Sequence, residues 1–306
     1  MPNVSLPRPS FNPLTATLTI IAAALCFGLV PVFVRELQSL GTGPATIALY
    51  RYGVSVLILL PFLPRARHKL GPALLLAGAG AVFALSMIGY VEALSVAPLA
   101  AAGVVYMSYP AFAAFFAWIL LKQSLSWRTF AAAGLVIGAA GLLLDPSTLS
   151  PDVFSALVWA IPTPVAFGFL IVVLSGLARD LTSLERAVST LIGSIVGLLP
   201  LALHESGGAV LPATPNEWWL VLLMGLVTAL IPQLMYTVAC QKIGAMRTAA
   251  AGSFELPTMF IVGWFVFGEN FGTLELVCAL LVLSAILVAP APGEDPAKAR
   301  QAVQAG

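Results

Sequence analysis

Charge is scarce in this sequence: its 306 residues include 14 Lys and Arg and 13 Asp and Glu. A soluble domain keeps roughly a quarter of its residues charged, so a charged share of 9% excludes an ordinary water-facing surface. The net charge of +1, with its bases in short loops between apolar runs, offers no patch for nucleic acid. Histidine is scarcer still. His68 and His204 both fall in loops, so no histidine base or ligand is expected in an apolar interior. The three cysteines, Cys26, Cys240 and Cys278, lie in apolar stretches without ligand-like spacing. They read as small buried hydrophobes, with no disulfide, metal site or other cofactor implied. No ATP-binding loop is present, so any work the protein does draws on gradients or on a partner.

What the chain has instead is hydrophobic length. Hydrophobic residues make up 60% of it, and the mean hydropathy is +1.00. Apolar segments fall at 15–34, 44–63, 72–94, 99–121, 129–144, 153–176, 184–203, 218–239, 248–268 and 273–290. Most reach the roughly 20 residues that cross about 30 Å of hydrocarbon as a helix. Helices are the expected form, because a lipid-exposed span must satisfy its backbone internally. Loop charge alternates. Arg65, Arg67 and Lys69, then Lys122 and Arg128, then Arg179 and Arg186, then Lys242 and Arg247 follow the even-numbered segments. With Arg8, Lys298 and Arg300 they place about 12 of the 14 basic residues on one side. Arg35 alone sits in the opposite loops. The positive-inside rule then puts both termini in the cytoplasm of a cell with a bacterial-type inner (plasma) membrane. Met1–Asn12 reads as a short cytoplasmic leader, since the first apolar run is too long for a signal peptide.

The polar stretch Asp145–Asp152 divides the segments into two sets of five, which resemble one another. Ala100-Ala101-Ala102-Gly103 followed by Pro110 in segment 4 matches Ala249-Ala250-Ala251-Gly252 followed by Pro257 in segment 9. Tyr90 to Leu94 resembles Tyr236 to Cys240, and segments 2 and 7 run from Arg51 and Arg186 to Pro61 and Pro200. An odd number of spans per repeat inverts the second half relative to the first. The expectation is an all-α integral membrane protein with ten transmembrane helices in two inverted five-helix repeats, 15–144 and 153–290. Residues 1–14 lead in and residues 291–306 form a cytoplasmic tail. Many secondary transporters share this design, with one half rocking against the other around a midplane site.

These residues also resemble a known pattern. Ala48-Leu49-Tyr50-Arg51-Tyr52, Ala93 to Ala102, Ser108-Tyr109-Pro110 and Trp118 to Gln123 stand in the order seen in EamA-type members of the drug/metabolite transporter superfamily. Gly134, Gly138 and Gly141 extend the pattern, and Phe254-Glu255-Leu256-Pro257 and Phe265 to Glu269 continue it in the second half. The resemblance covers nearly the whole chain. It implies a ten-helix carrier for small metabolites, often an exporter of amino acids or related compounds. It further implies a central cavity lined by segments 3, 4, 8 and 9. One departure stands out: the glutamate that usually closes segment 4 is replaced by Lys122-Gln123, while Glu269 is kept.

Charges inside the spans are the first site candidates, because an unpaired charge near the bilayer centre costs at least about 2.5–3.5 kcal/mol. Arg51 can bind a substrate carboxylate with its fork of donors, or serve structurally by pairing with helix ends. Glu255 stands two residues before Pro257. A carboxyl taken out of water holds its proton more tightly, so Glu255 is a candidate for proton coupling or for binding an ammonium group. The alternative is a side chain reaching the interface near Arg247. Glu92 has the same two readings, whereas Glu269 marks a helix end. Pro110 and Pro257 each remove a backbone donor within a span, which membrane helices tolerate where they line a cavity. Pro31, Pro162 and Pro164 are candidates for the same part. Tyr90, Tyr106, Tyr109, Trp159 and Tyr236, with Gln233 one turn before Tyr236, can line a cavity or belong to an interface belt. Gly134, Gly138 and Gly141 suit close helix packing or a homodimer face.

The expected function is secondary active transport of a small metabolite by alternating access, with protons as a candidate coupling ion. The alternative within that class is a flippase or exporter of a lipid-linked or amphiphilic compound. An intramembrane enzyme would need a histidine or a carboxylate cluster in the membrane. A channel would need a filter segment or a ring of like charges. Neither pattern is present in the sequence.

Overall fold

A computed structural model describes residues 12–123, 127–143, 149–178, 180–269 and 272–288. Most of the leader, residues 144–148 of the polar divider, Arg179 and the C-terminal tail lie outside the described residues. Every regular element among the described residues is helical. Eight helices are long and apolar enough to cross a membrane: α1 (Pro13–Ser39), α2 (Pro44–Phe62), α3 (Arg67–Val96), α4 (Leu99–Leu121), α6 (Pro151–Leu177), α7 (Ser183–Glu205), α8 (Pro215–Ile243) and α9 (Ala245–Phe267). Two further apolar helices, α5 (Trp127–Leu143) and α10 (Thr273–Val288), are shorter. The helix starts follow local chemistry. The side chains of Asn12, Ser150, Thr182 and Thr214 each accept from a backbone N–H of the following first turn. At α7, Thr182 and Glu185 cap each other reciprocally.

Prolines decide where the long helices break. Helix α1 interrupts at Gly28 and Leu29 and restarts at Val30, with Pro31 second in the new stretch. Helix α4 interrupts at Met107 and Ser108 before Tyr109-Pro110. Helix α6 interrupts at Ile161 before Pro162, and α9 at Ser253 and Phe254, so that Pro257 is third in the new stretch. A proline is cheap in the first turn of a helix, where its missing N–H would have had no partner. In α8 the backbone widens into a π-turn at Leu226–Leu230 before Pro232, and α6 has another at Val173–Leu177.

The helices pack as a bundle in which α7 lies against α2 and α3, and α1 against α8 and α9. In the same bundle α4 lies against α6, and α5 against α10. Helices α3 and α7 come so close that a methyl on Gly80 or Gly193 would meet the backbone of the opposite helix. The outer surface is apolar too, with Leu57, Leu74, Trp127 and Phe265 all exposed. Gly134, Gly138 and Gly141 are found on this outer face. Among the described residues nothing within 4 Å would meet a methyl at any of them, which corrects the expectation that they bring helices of this chain together.

Charged contacts join the helix ends into two groups. At one end Arg35, which lies in α1 rather than in a loop, pairs with Glu269 at 2.7 Å. Its guanidinium also donates to the Leu94 and Ala97 carbonyls, and Glu269 accepts from the Leu99 N–H at 2.9 Å. At the same kind of end, Glu205 at the close of α7 accepts from the Ala45 and Thr46 N–H groups that open α2. At the other end Lys69 pairs with Glu185 at 2.7 Å, tying the start of α3 to the start of α7. The Arg35–Glu269, Glu269–Leu99, Glu205–α2 and Lys69–Glu185 contacts join the first half of the chain to the second, whereas the Arg35 bonds to Leu94 and Ala97 stay within the first.

Candidate functional site

The broken helices converge on a closed cluster of aromatic rings. Tyr90 of α3 stacks on Tyr106 of α4 with centroids 4.8 Å apart, and Tyr106 lies 5.5 Å from Tyr109. Phe167 of α6 packs edge-on against Tyr109 at 4.8 Å and stacks on Phe83 at 5.0 Å. Phe27, which ends the first stretch of α1, lies 5.5 Å from Tyr236 of α8. All seven rings are buried. The rings come from α1, α3, α4, α6 and α8.

Glu255 meets this cluster from α9. It is the first residue of the helical stretch after the break, and it is 4% exposed, so it does not reach the interface. Met259, four residues on in the same stretch, shares its helical face, and Gly252 closes the stretch before the break. A methyl on Gly252 would meet the hydroxyls of both Tyr109 and Tyr236. The Tyr109 hydroxyl donates to the Ala249 carbonyl at 2.9 Å, and the Tyr90 hydroxyl lies 3.5 Å from the Met259 sulfur. Through Gly252 and Met259, its neighbours on α9, the Glu255 segment packs against Tyr109, Tyr236 and Tyr90. Among the described residues the carboxyl makes no side-chain hydrogen bond and no ion pair. The Tyr236 hydroxyl is buried without a hydrogen-bond partner.

Arg51 is also buried, but its fork is occupied. Nε and one terminal nitrogen donate to the Thr228 carbonyl in the π-turn of α8, at 3.1 and 3.0 Å. The guanidinium carbon lies 5.4 Å from the Phe27 ring centre and 5.6 Å from that of Tyr52. This geometry favours the structural reading of Arg51, which binds α2 to α8 and forms part of the cluster's wall.

The other candidates are placed elsewhere. Trp159 is 70% exposed, and with Glu92 and Asp152 it lines a separate cavity of about 800 Å³ between α3 and α6. Neither Trp159 nor Glu92 joins the central rings. Gln233 is half-buried one turn before Tyr236, with its amide nitrogen buried and unpaired. Pro110 and Pro257 sit at the breaks that position Tyr109 and Glu255. Phe27, Phe83, Phe167, Gly252 and Met259 were not singled out from the sequence as site residues. Gly252 did carry a signal, as the last residue of a repeated Ala-Ala-Ala-Gly run. Its counterpart Gly103 faces α9, where a methyl would lie 2.8 Å from Leu256 and 3.2 Å from the Met259 sulfur. Among the described residues no three His, Cys, Asp or Glu side chains are grouped to hold a metal.

Comparison with known proteins gives a consistent picture. The model of the EamA-like transporter family matches residues 14–144 and again residues 154–289. A curated S-adenosylmethionine uptake transporter of Rickettsia bellii (strain RML369-C) is 22% identical over 244 residues, covering 79% of this chain and 81% of that protein. One solved crystal structure superposes with a TM-score of 0.66 over 90% of this chain and 95% of that one. At 16% identity, that last likeness concerns the fold alone.

Proposed function

The chain belongs to the EamA-like transporter family, and from that premise we propose that it is a secondary carrier moving a small metabolite by alternating access. In this reading α1 to α5 and α6 to α10 all cross the membrane as two inverted repeats. Matched breaks support it: α1 and α6 interrupt just before Pro31 and Pro162, and α4 and α9 just before Pro110 and Pro257. Discontinuous helices in corresponding positions of two halves are the mark of a midplane binding site. The packing of α1 on α8 is mirrored by that of α6 on α3, as an internal two-fold requires. Loop charge supports an inner-membrane location with both termini cytoplasmic. Amino acids or related compounds, moved outward, are the cargo and direction that the family resemblance favours.

The observation that carries the reading is Glu255, a buried carboxyl at a helix break beside the tyrosine cluster, with no ion-pair partner among the described residues. Such a group is retained where it binds cargo or a coupling proton. The test is counterflow by purified protein in liposomes against a panel of amino acids, nucleosides and organic cations, with and without a pH gradient. Glu255→Gln is expected to lower flux and to abolish its dependence on the gradient. Wild-type proton dependence in that variant removes Glu255 from coupling.

A second reading, movement of an amphiphilic or lipid-linked compound, is favoured by the cavity between α3 and α6. Exposed Leu85, Val96 and Trp159 border it and open it towards lipid. Flipping of a fluorescent lipid-linked probe in vesicles, without counterflow of any soluble solute, would decide for that reading.

A further inference from the structure

We propose that Arg35 and Glu269 form the clasp of a periplasmic gate, which must open for cargo to pass that mouth of the carrier. This rests on the carrier reading and on the orientation that loop charge favours. Helix α1 packs on α8 and α9, and α6 on α3 and α4, so these helices fall into two sets that mix the halves of the chain. The clasp bridges the sets at the end where α1, α3 and α9 finish and α4 begins. From α1, the Arg35 guanidinium donates to the Leu94 and Ala97 carbonyls at the close of α3, at 2.9 and 3.2 Å. Glu269, just past α9, pairs with Arg35 at 2.7 Å and accepts from the Leu99 N–H that opens α4, at 2.9 Å. The guanidinium carbon lies 4.3 Å from the ring centre of Phe267 in α9. One ion pair thus holds the carbonyl end of α3 and the N–H end of α4, both of the opposite set.

The other mouth has no such clasp among the described residues. Gln123 stands there in the place of Glu269. Each follows a left-handed residue at its helix end, Lys122 at φ 53° and Gly268 at φ 63°. Each N–H turns back to a carbonyl in its own helix, Ala117 for Gln123 and Gly263 for Glu269. Gln123 is neutral, and an amide forms no ion pair. The cytoplasmic pair, Lys69 with Glu185, matches the clasp in length and exposure but joins α3 to α7. Those helices leave no room for a methyl at Gly80 or Gly193, and the Ser194 hydroxyl donates to the Gly80 carbonyl at 3.1 Å. They move together, so that pair is a staple rather than a gate. The clasp, by contrast, is built to release. Its side chains are 22% and 19% exposed, so water already screens the pair. Gln38, one turn further along α1, leaves its Oε1 buried and unpaired, a cost that admitting water removes. The carrier therefore rests with its periplasmic mouth locked by charge and its cytoplasmic mouth the easier to open.

Double electron–electron resonance on purified protein in nanodiscs tests the gate, with spin labels on introduced keto side chains so that the native cysteines stay. Exposed Ser39 of α1 and Ser155 of α6 span the periplasmic mouth, and exposed Gln241 of α8 and Leu177 of α6 span the cytoplasmic one. Arg35→Gln and Glu269→Gln are each expected to raise the long-distance periplasmic population by about fivefold or more. Lys69→Gln, the matched control, is expected to leave both distance distributions unchanged. If neither clasp variant folds, the unmutated protein decides: raising ionic strength from about 0.01 M to about 1 M is expected to raise the same population. Unchanged periplasmic distances in the clasp variants, or with salt where no variant folds, overturn the proposal. Equal opening by Lys69→Gln overturns it too, as a sign of general loosening, and so does opening at the cytoplasmic mouth instead. Counterflow in liposomes separates the two layers. Opening without counterflow of any solute removes the carrier reading and leaves the gate, whereas counterflow with unchanged distances does the reverse.

Discussion

Gly168 offers a direct test of how tightly the site is held. It lies in α6 beside Phe167 and faces α4 just past the Tyr109-Pro110 break. A methyl there would lie 2.7 Å from the Ala113 nitrogen, 2.8 Å from Phe112 Cβ and 2.9 Å from the Phe112 carbonyl carbon. Non-bonded carbon contacts are comfortable at about 3.5–4.0 Å, so Gly168→Ala must part α4 and α6 locally by about 0.6–0.8 Å. Two of the three atoms are backbone, which leaves no flexible side chain to give way. Overpacking of this kind costs about 1–3 kcal/mol, against which the helix gains up to about 1 kcal/mol from replacing glycine. The net expectation is a loss of about 1–2 kcal/mol in unfolding in mixed SDS micelles, with weakened packing of Phe167 on Tyr109. Gly78→Ala is the control. Nothing lies within 4 Å of its added methyl, so it should be neutral or slightly stabilising. If both variants unfold alike, α4 and α6 are not in the contact described and the closed wall of the site is wrong.

Arg35→Gln and Glu269→Gln in a double-mutant cycle should reveal a coupling of about 1 kcal/mol or less, because both side chains are partly exposed and solvent screens the pair. Additive effects would show that the pair at 2.7 Å contributes nothing to joining α1 and α9. Glu205→Ala removes the acceptor for the Ala45 N–H, the Thr46 N–H and the Thr46 hydroxyl. A loss of about 1–2 kcal/mol is expected, as for other helix N-caps, with faster amide exchange at the start of α2. Unchanged exchange there counts against the contact. Gly138→Leu should leave the stability of the chain within about 0.5 kcal/mol, since the position faces open space; a large loss would mean that a helix of this chain packs on it after all.

How much of this was legible in the sequence follows from what lipid does to the usual signals. Span positions were readable because they depend on total hydropathy, and α4 coincides with its expected segment, 99–121. Breaks were readable because proline acts locally. Which face of a span looks inward was not. In a membrane both faces are apolar, so Leu57 is 74% exposed while Leu59, two residues on in the same helix, is 3% exposed. The same ambiguity hid Phe27, Phe83 and Phe167 among 17 phenylalanines and left unread that Trp159 lines the cavity between α3 and α6 rather than the ring cluster. Polar residues escape it, since burying one in an apolar interior needs a reason. Glu255, Tyr109 and Tyr236 stood out for that reason, although their mutual placement could not be read. Arg35 and Glu269 meet across 234 residues of sequence, and neither local pattern contains the other.

The break in α9 explains why a carboxylate is tolerable where Glu255 stands. A continuous helix would present it to an apolar interior whose backbone groups are all paired. Interrupting the helix at Ser253 and Phe254 makes Glu255 the first residue of a new helical stretch. The N–H groups of Phe254 and Leu256 are taken by the Ala251 and Ser253 carbonyls, so what the new stretch offers the acid is its dipole, which favours negative charge at an opening turn. Pro257 reinforces the restart by having no N–H to offer at its third position. The proline and the acid are therefore one device, and the first half of the chain holds only part of it. At the matching break α4 has Pro110, but Tyr109 stands near the place of the acid. The two halves thus differ in charge, and the one buried carboxyl among the described residues, Glu255, belongs to the second.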